Sequence, residues 1–354
     1  MKVVIAPDSF KGTIANFEAA RAIAEGWSTV RPMDEVILLP MADGGEGTLE
    51  TIAVSQQDAL SVSVIGSNQI SWLLLRDGTA IVELARICGI TLLKDLDPMG
   101  SHTYLFGEAL KSAALDSRVK RIVATVGGSA STDGGVGALI ALGARFLNEK
   151  GELIRFGGAG LLDIASIDLV GMTAPPVGGV ICLVDVINPL LGPTGSAMIF
   201  SPQKGANVDQ VDQLEAGLAQ LKKVSNQEDF AGAGAAGGTP FGLKLGWKVV
   251  IESGAMAIAS LIGLPEAIAA ADLVITGEGR LDSQSSYGKV VGVVREIAIN
   301  HKKKVFYCVG SSKEPLGANG VALVDIAPSI VEAMTNANKW LISAGSELAQ
   351  RTKS

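Results

Sequence analysis

Apolar residues along this chain recur with two different periods, and the alternation between them sets the expected fold. Val3 to Ile5 is a short, β-branched apolar run; Pro7 to Gly12 interrupts it; from Ala15 to Trp27 the apolar positions fall at helical spacing. The same strand, loop and helix unit returns with Val36 to Leu39 as a second buried strand, Met41 to Gly47 as its loop and Thr48 to Val54 as the start of a helix. Towards the other end, the pattern predicts a helix over Ala255 to Ala270, a strand at Leu273 to Thr276, a loop from Gly277 to Gly288 and a helix from Val290 to Asn300. Strands at Val305 to Val309 and Val324 to Ile326 follow. Short apolar strands separated by helices imply parallel βαβ units, and units from both ends of the chain predict an α/β fold with a flavodoxin-like, doubly wound parallel sheet.

The intervening stretch has another texture. It carries hairpin-like alternation, with Ser71 to Leu75 and Ala80 to Leu84 flanking Asp77-Gly78, and dense Gly/Pro punctuation. The expected organisation is therefore a discontinuous flavodoxin-like domain, residues 1–60 plus 246–354, interrupted by a second, inserted α/β domain over residues 61–245. A length of 354 residues with 48% hydrophobic and 18% charged residues suits two well-packed cores.

Charge and cysteine usage narrow the function. A net charge of −7, with no Lys/Arg block and no basic-aromatic interleaving, argues against a nucleic-acid partner. Cys88, Cys182 and Cys308 are far apart and set in apolar runs, and there are only two histidines, which reads as a reducing, cytoplasmic protein without a zinc cluster. No apolar run reaches membrane-spanning length without a charge or a proline, so no membrane association is expected.

Ligands of open parallel sheets bind beyond the carboxyl ends of the strands. The loops there hold Asp8-Ser9-Phe10-Lys11-Gly12, Asp43-Gly44-Gly45-Glu46-Gly47, Gly277-Glu278-Gly279-Arg280-Leu281-Asp282 and Gly310-Ser311-Ser312. Any one of them is explained by helix capping and tight turns. Together they offer carboxylates, two cations and pliable backbone at one sheet edge. In the inserted domain, the strand Arg121 to Val126 leads into Gly127-Gly128-Ser129-Ala130-Ser131-Thr132-Asp133-Gly134-Gly135 and a helix from Val136 to Leu142. Glycine-freed N–H groups, the hydroxyls of Ser129, Ser131 and Thr132 and a helix start make a candidate cradle for phosphate oxygens. The run Gly179 to Val184 ends in Asp185-Val186-Ile187-Asn188-Pro189, where Asp185 and Asn188 are either hard oxygen donors for Mg²⁺ or an Asx turn ahead of proline. Gly232 to Gly237 fits G-x-G-x-x-G, but polar Asn226 to Phe230 supply no buried strand before it, and no P-loop motif occurs.

Ala6 to Gly12, Pro40 to Thr48, Gly127 to Gly135, Phe200 to Ala206, Gly232 to Gly238 and Val274 to Ser285, in that order, closely resemble the motifs of the type I glycerate kinase family. The resemblance implies a flavodoxin-like domain interrupted by a second α/β domain, an active cleft between them, ATP with Mg²⁺, and D-glycerate as the organic acid phosphorylated, with 2-phosphoglycerate the favoured product. On that basis Lys11 and Arg280 are assigned to the phosphate or the glycerate carboxylate, Asp133, Asp185 and Asn188 to Mg²⁺, and one of Asp8 or Asp43 to accepting the hydroxyl proton. Ser9, Gly44, Gly45, Glu46, Gly127, Gly128, Ser129, Ser131, Thr132, Lys204 and Glu278 complete the expected substrate- and phosphate-binding set. A homodimer is one oligomeric state left open. The chain departs from the family at Ser101 to Glu108, where Leu105 and Phe106 replace a glycine and a threonine, and at Arg86-Ile87-Cys88, where small residues are usual. The rival readings are a nicotinamide-dependent oxidoreductase and a non-catalytic metabolite sensor on a kinase scaffold.

Overall fold

The computed structural model describes residues 1–56, 58–64, 70–281, 289–313 and 315–352. The chain divides into two compact units, one of residues Met1–Asp43, Glu50–Gln56 and Ser253–Ser354, the other of Gly44–Leu49 and Gln57–Glu252.

In the first unit Lys2–Ile5 is an interior strand of a five-stranded sheet, next to its edge. It pairs in parallel with Glu35–Leu38 on one side and Leu273–Thr276 on the other, and the sheet continues through Lys304–Val309 to Gly320–Ala322, again in parallel. Numbered along the chain, the strand order is 2-1-3-4-5, the flavodoxin-like arrangement expected from the sequence. Val3, Val4 and Ile5 have no exposed surface, as a strand covered on both faces requires. On one face the helices Asn16–Val30 and Ala337–Arg351 pack through glycine: a Cβ on Gly26 would sit 1.9 Å from the Ile342 carbonyl oxygen, and one on Gly345 would sit 2.3 Å from that of Ile23. The core beneath them joins Trp27, Phe306, Leu341 and Leu348 to the strand side chains of Val3, Ile5 and Ile275.

Two elements of this unit differ from the expected pattern. The long helix expected over 255–270 is two, Gly254–Leu261 and Leu264–Ala270, because Gly263 adopts φ +72° and Pro265 follows in the first turn of the second helix. The last strand is Gly320–Ala322, while Val324 to Ile326, expected as strand, lies in the short helix Leu323–Ile326. Pairing with Tyr307 to Val309 uses only the first residues of that apolar run, which is too short for periodicity to separate strand from helix.

The second unit is built on a six-stranded sheet in the order Val250–Glu252, Val180–Leu183, Arg121–Thr125, Thr79–Glu83, Ser71–Leu74, Leu60–Ser63. The first four strands are parallel and the last two close antiparallel through the expected hairpin, whose Gly78 has φ +87°. Val250–Glu252 adds to the edge of this sheet, so the unit runs on to Glu252. Its core gathers Trp72, Val82, Phe106, Phe146, Leu214 and Phe241. Among the described residues no helix is long and apolar enough to cross a membrane.

Candidate functional site

Beyond Ile5 the ladder of the first sheet continues as single hydrogen bonds that carry the loops into register. The amide of Ala6 donates to the Ile275 carbonyl, that of Asp8 to Gly277 and that of Met41 to Pro7, each at 2.8 Å. Asp8 is thereby held between the segments bearing Glu278 and Asp43. The third and fourth loops approach just as closely: a Cβ on Gly277 would lie 1.7 Å from the Cys308 carbonyl oxygen, and Gly310 and Ser311 donate their amides to the carbonyls of Glu278 and Gly279. Glycine is required here because two backbones touch.

The side chains brought together are Asp8, Lys11, Asp43 and Glu278. Burial pushes the Asp8 carboxyl up to about 7, the Asp43 and Glu278 charges push the same way, and the amide of Ser9, which donates to Asp8 at 2.7 Å, opposes them together with Lys11. Lys11 places its ammonium 3.5 Å from Asp43 Oδ2, and the Asp43 charge holds its pKa above the usual lysine value. Arg280 is exposed on the two-residue strand Arg280–Leu281, which pairs with Ser311–Ser312. Asp282 lies outside the described residues. A carboxylate with affinity for a proton near neutrality, beside a cation, can accept a proton from a hydroxyl and return it at working pH.

The residues after Asp43 belong to the second unit. Gly127 donates its amide to the Gly44 carbonyl at 3.1 Å, and a Cβ on Gly127 would meet Gly45 Cα at 2.6 Å. Glu46 accepts from the Thr91 hydroxyl at 3.3 Å. The segment is anchored by a residue that sequence reasoning missed: Glu83, only 1% exposed, accepts the amides of Gly47 at 3.0 Å and Leu49 at 2.7 Å. The signal was present, since a carboxylate closing an otherwise buried strand must find donors.

In the glycine-rich loop the Ser129 and Ser131 hydroxyls lie 3.0 Å apart and Ser129 Oγ also accepts the Ser131 amide, with Gly128, Gly134 and Gly135 all at positive φ. Asp133 serves this loop itself. Its Oδ2 accepts the amides of Thr103 and Gly137 and the Thr103 hydroxyl, and its Oδ1 accepts the amide of Gly135. Lys204, 3% exposed, donates its ammonium to the Ser131 carbonyl; burial brings its pKa down to about 8 although Asp133 opposes the shift. Thr132 is fully buried, and its hydroxyl has no partner among the described residues.

Asp185 follows the strand Val180–Leu183 and is partly exposed, and the Asn188 side-chain amide donates to the Thr194 carbonyl at 2.7 Å. Among the described residues no group of three or more His, Cys, Asp or Glu could hold a metal. The donor set fits Mg²⁺ carried by a nucleotide, which needs one or two protein oxygens, and not a closed protein cage.

Thr103, absent from the expected set, is the keystone of the loop: besides its two bonds to Asp133, its hydroxyl accepts the Ala138 amide at 2.9 Å. Thr103→Val is expected to lower stability by about 1–3 kcal/mol, because a buried amide and a carboxylate oxygen each lose a partner. Denaturant titration monitored on the second unit checks this; an unchanged midpoint would remove Thr103 from that role.

The glycerate kinase family profile matches residues 3–354. A glycerate kinase of Haemophilus influenzae is 40% identical over 331 residues, covering 89% of this chain and 87% of its own. A glycerate 2-kinase of Escherichia coli is 36% identical, covering 90% and 87%. A crystal structure described as glycerate kinase 2 from Salmonella typhimurium LT2 superposes with a TM-score of 0.81 at 32% identity, over 100% of this chain and 98% of that one. The chain belongs to the glycerate kinase family. It is therefore a kinase, a transferase acting on a small molecule and a nucleotide, and the oxidoreductase reading falls.

The two departures from the family pattern have structural answers. Phe106 is fully buried in the core of the second unit, while Leu105 is 44% exposed on the same helix, Tyr104–Leu115. The segment Cys88 to Ile90 meets the glycine-rich loop through its backbone, with the Ala130 amide on the Cys88 carbonyl and the Ile90 amide on that of Gly128. Changes of side chain there leave the pairing intact. The Cys88 thiol is held up at about 11, mainly by burial, so it is no nucleophile.

Proposed function

We propose that this glycerate kinase family member transfers the γ-phosphoryl group of ATP to D-glycerate, at the 2-hydroxyl, with Mg²⁺. The observation that carries the reading is the cluster of Asp8, Asp43 and Glu278 with the Lys11 ammonium 3.5 Å from Asp43, in a chain of this family. Phosphoryl transfer asks for alignment and charge neutralisation with little covalent chemistry. Asp8 accepts the proton of the attacking hydroxyl. Asp43 raises the proton affinity of Asp8 and orients Lys11, and Lys11 with Arg280 binds the glycerate carboxylate or the transferred phosphate.

The glycine-rich loop meets phosphate oxygens at its accessible start, Gly127 and Gly128, while its later amides brace the loop within the protein. Lys204 fixes the Ser131 carbonyl from behind, and Asp133 sets the loop's shape. Asp185, with Asn188, would hold Mg²⁺, which supplies neutralisation of the charge on the nucleotide phosphates. The two constellations serve one reaction in this proposal, the carboxylate cluster of the first unit acting on the acceptor and the loop of the second on the donor. The name of the E. coli relative supports the 2-position. Three free cysteines, two of them buried, suit a cytoplasmic setting.

The test is a coupled assay with D-glycerate and MgATP, reading ADP release and then adding enolase, which consumes 2-phosphoglycerate directly. Absence of ADP release would end the kinase reading for this substrate. Product that enolase consumes only after a phosphoglycerate mutase is added would end the 2-position.

A further inference from the structure

Aromatic residues make up only 5% of the chain, and every described Phe and Trp but one is buried or partly buried. Phe156, 44% exposed, is the exception: no other Phe or Trp among the described residues is exposed. It does not stand alone. Its ring lies 4.7 Å from the His102 ring at a 32° tilt and 5.2 Å from the Tyr104 ring, which meets it edge-on. His102 is oriented by the Tyr104 amide, which donates to Nδ1 at 3.3 Å. All three rings sit on residues tied to the glycine-rich loop. His102 and Tyr104 flank Thr103, whose amide and hydroxyl bond Asp133 at 2.8 Å. Phe156 leads into Gly157-Gly158, and a Cβ on Gly158 would come within 2.6 Å of the Thr132 carbonyl oxygen.

We propose that His102, Tyr104 and Phe156 form a stacking platform for the purine base of the nucleotide, adjoining the loop that takes its phosphates. This rests on the reading that the chain uses ATP, and it assigns the base to the second unit. The chemistry selects the occupant: a three-carbon hydroxy acid has no apolar face to offer, whereas a purine presents a flat π surface that stacks on an aromatic group and tolerates a tilted partner. An exposed ring cluster bound to a phosphate loop matches a ligand that is flat at one end and polyanionic at the other.

The experiment compares MgATP with magnesium tripolyphosphate, which keeps the phosphates and lacks the base, by titration calorimetry on the full chain. Phe156→Leu and the double variant H102A/F156L are measured beside wild type; leucine keeps apolar bulk without a π face, and Thr103 is untouched. The expected result is MgATP affinity weakened by about 5- to 100-fold in the double variant, less in the single one, with tripolyphosphate affinity unchanged. Unchanged MgATP affinity would overturn the platform. So would an equal loss for both ligands, which would mean that the rings only brace the loop. Wild-type protein that fails to bind MgATP would overturn the kinase reading as well, and is distinguished because it shows before any substitution is made.

Discussion

Asp8→Asn is expected to lower kcat with saturating D-glycerate and MgATP by about 10²- to 10⁴-fold, the usual contribution of a general base, while KM for MgATP moves little. Asparagine keeps the shape and can still accept the Ser9 amide, so the loss isolates the proton. The pH profile is the sharper readout. With the carboxyl pushed up to about 7, only the ionised fraction of wild-type enzyme is competent, and kcat/KM falls about tenfold for each pH unit below that value. Lys11, whose pKa is raised, stays charged throughout and contributes no limb. In the variant the acid limb disappears. If instead it persists in Asp8→Asn, the base is another group, and Asp43 is the next to test.

The same shift has a stability signature of opposite direction to the usual carboxylate. Asp8 goes from a value of 3.8 when unfolded to about 7 when folded, so between those values the native state binds the extra proton. Wild-type stability contributed by Asp8 is therefore complete below about pH 4 and is lost as pH rises through 7. Asp8→Asn is expected to melt higher than wild type at pH 8, by a margin that shrinks towards pH 4. A variant less stable at pH 8 would mean that the carboxylate is held by partners that favour its charge.

What the sequence showed and what it hid follow from the range of the interactions involved. Four strands of the five-stranded sheet were legible because each is an apolar run with a loop of turn-forming residues behind it, and topology then left few ways to order them; the fifth was expected at Val324 to Ile326, which is helix. The carboxylate cluster was legible as a set, since sheet geometry sends all the loops to one edge, but not as roles, because the neighbours that each carboxylate meets are set by tertiary placement that no spacing encodes. Asp133 illustrates the limit. A carboxylate inside a glycine-rich run reads equally as a metal ligand or as a loop organiser, and only the positions of Thr103, Gly135 and Gly137 reveal that its oxygens accept four hydrogen bonds from the protein. Lys204 was flagged by its motif alone; its burial behind Ser131 is a tertiary fact.

The G-x-G-x-x-G match at Gly232 to Gly237 shows the same limit from the other side, because its glycines are required for a reason unrelated to dinucleotides. Gly237 has φ +70° and packs directly under the glycine-rich loop: a Cβ there would lie 2.0 Å from the Ser131 carbonyl oxygen and 2.7 Å from Thr132 Cα. Both are backbone atoms, and the Gly134 amide donates to the Gly237 carbonyl at 2.8 Å, so neither strand of chain can yield without the other. Gly237→Ala is expected to destabilise by about 2–5 kcal/mol, the left-handed strain of a residue with Cβ added to an overpacking term. Gly151→Ala separates the two: Gly151 has φ +76° with nothing within 4 Å of its Cβ position, so it reports strain alone. Denaturant midpoints of the two variants should differ by the clash. Because the clash displaces Ser131 and Thr132 themselves, the folded fraction of Gly237→Ala should also bind MgATP at least tenfold more weakly, by roughly the 1.4 kcal/mol that such a factor represents. Equal midpoints for Gly237→Ala and Gly151→Ala, with nucleotide affinity intact, would show that the loop is free to move away and is not held in the shape that phosphate binding requires.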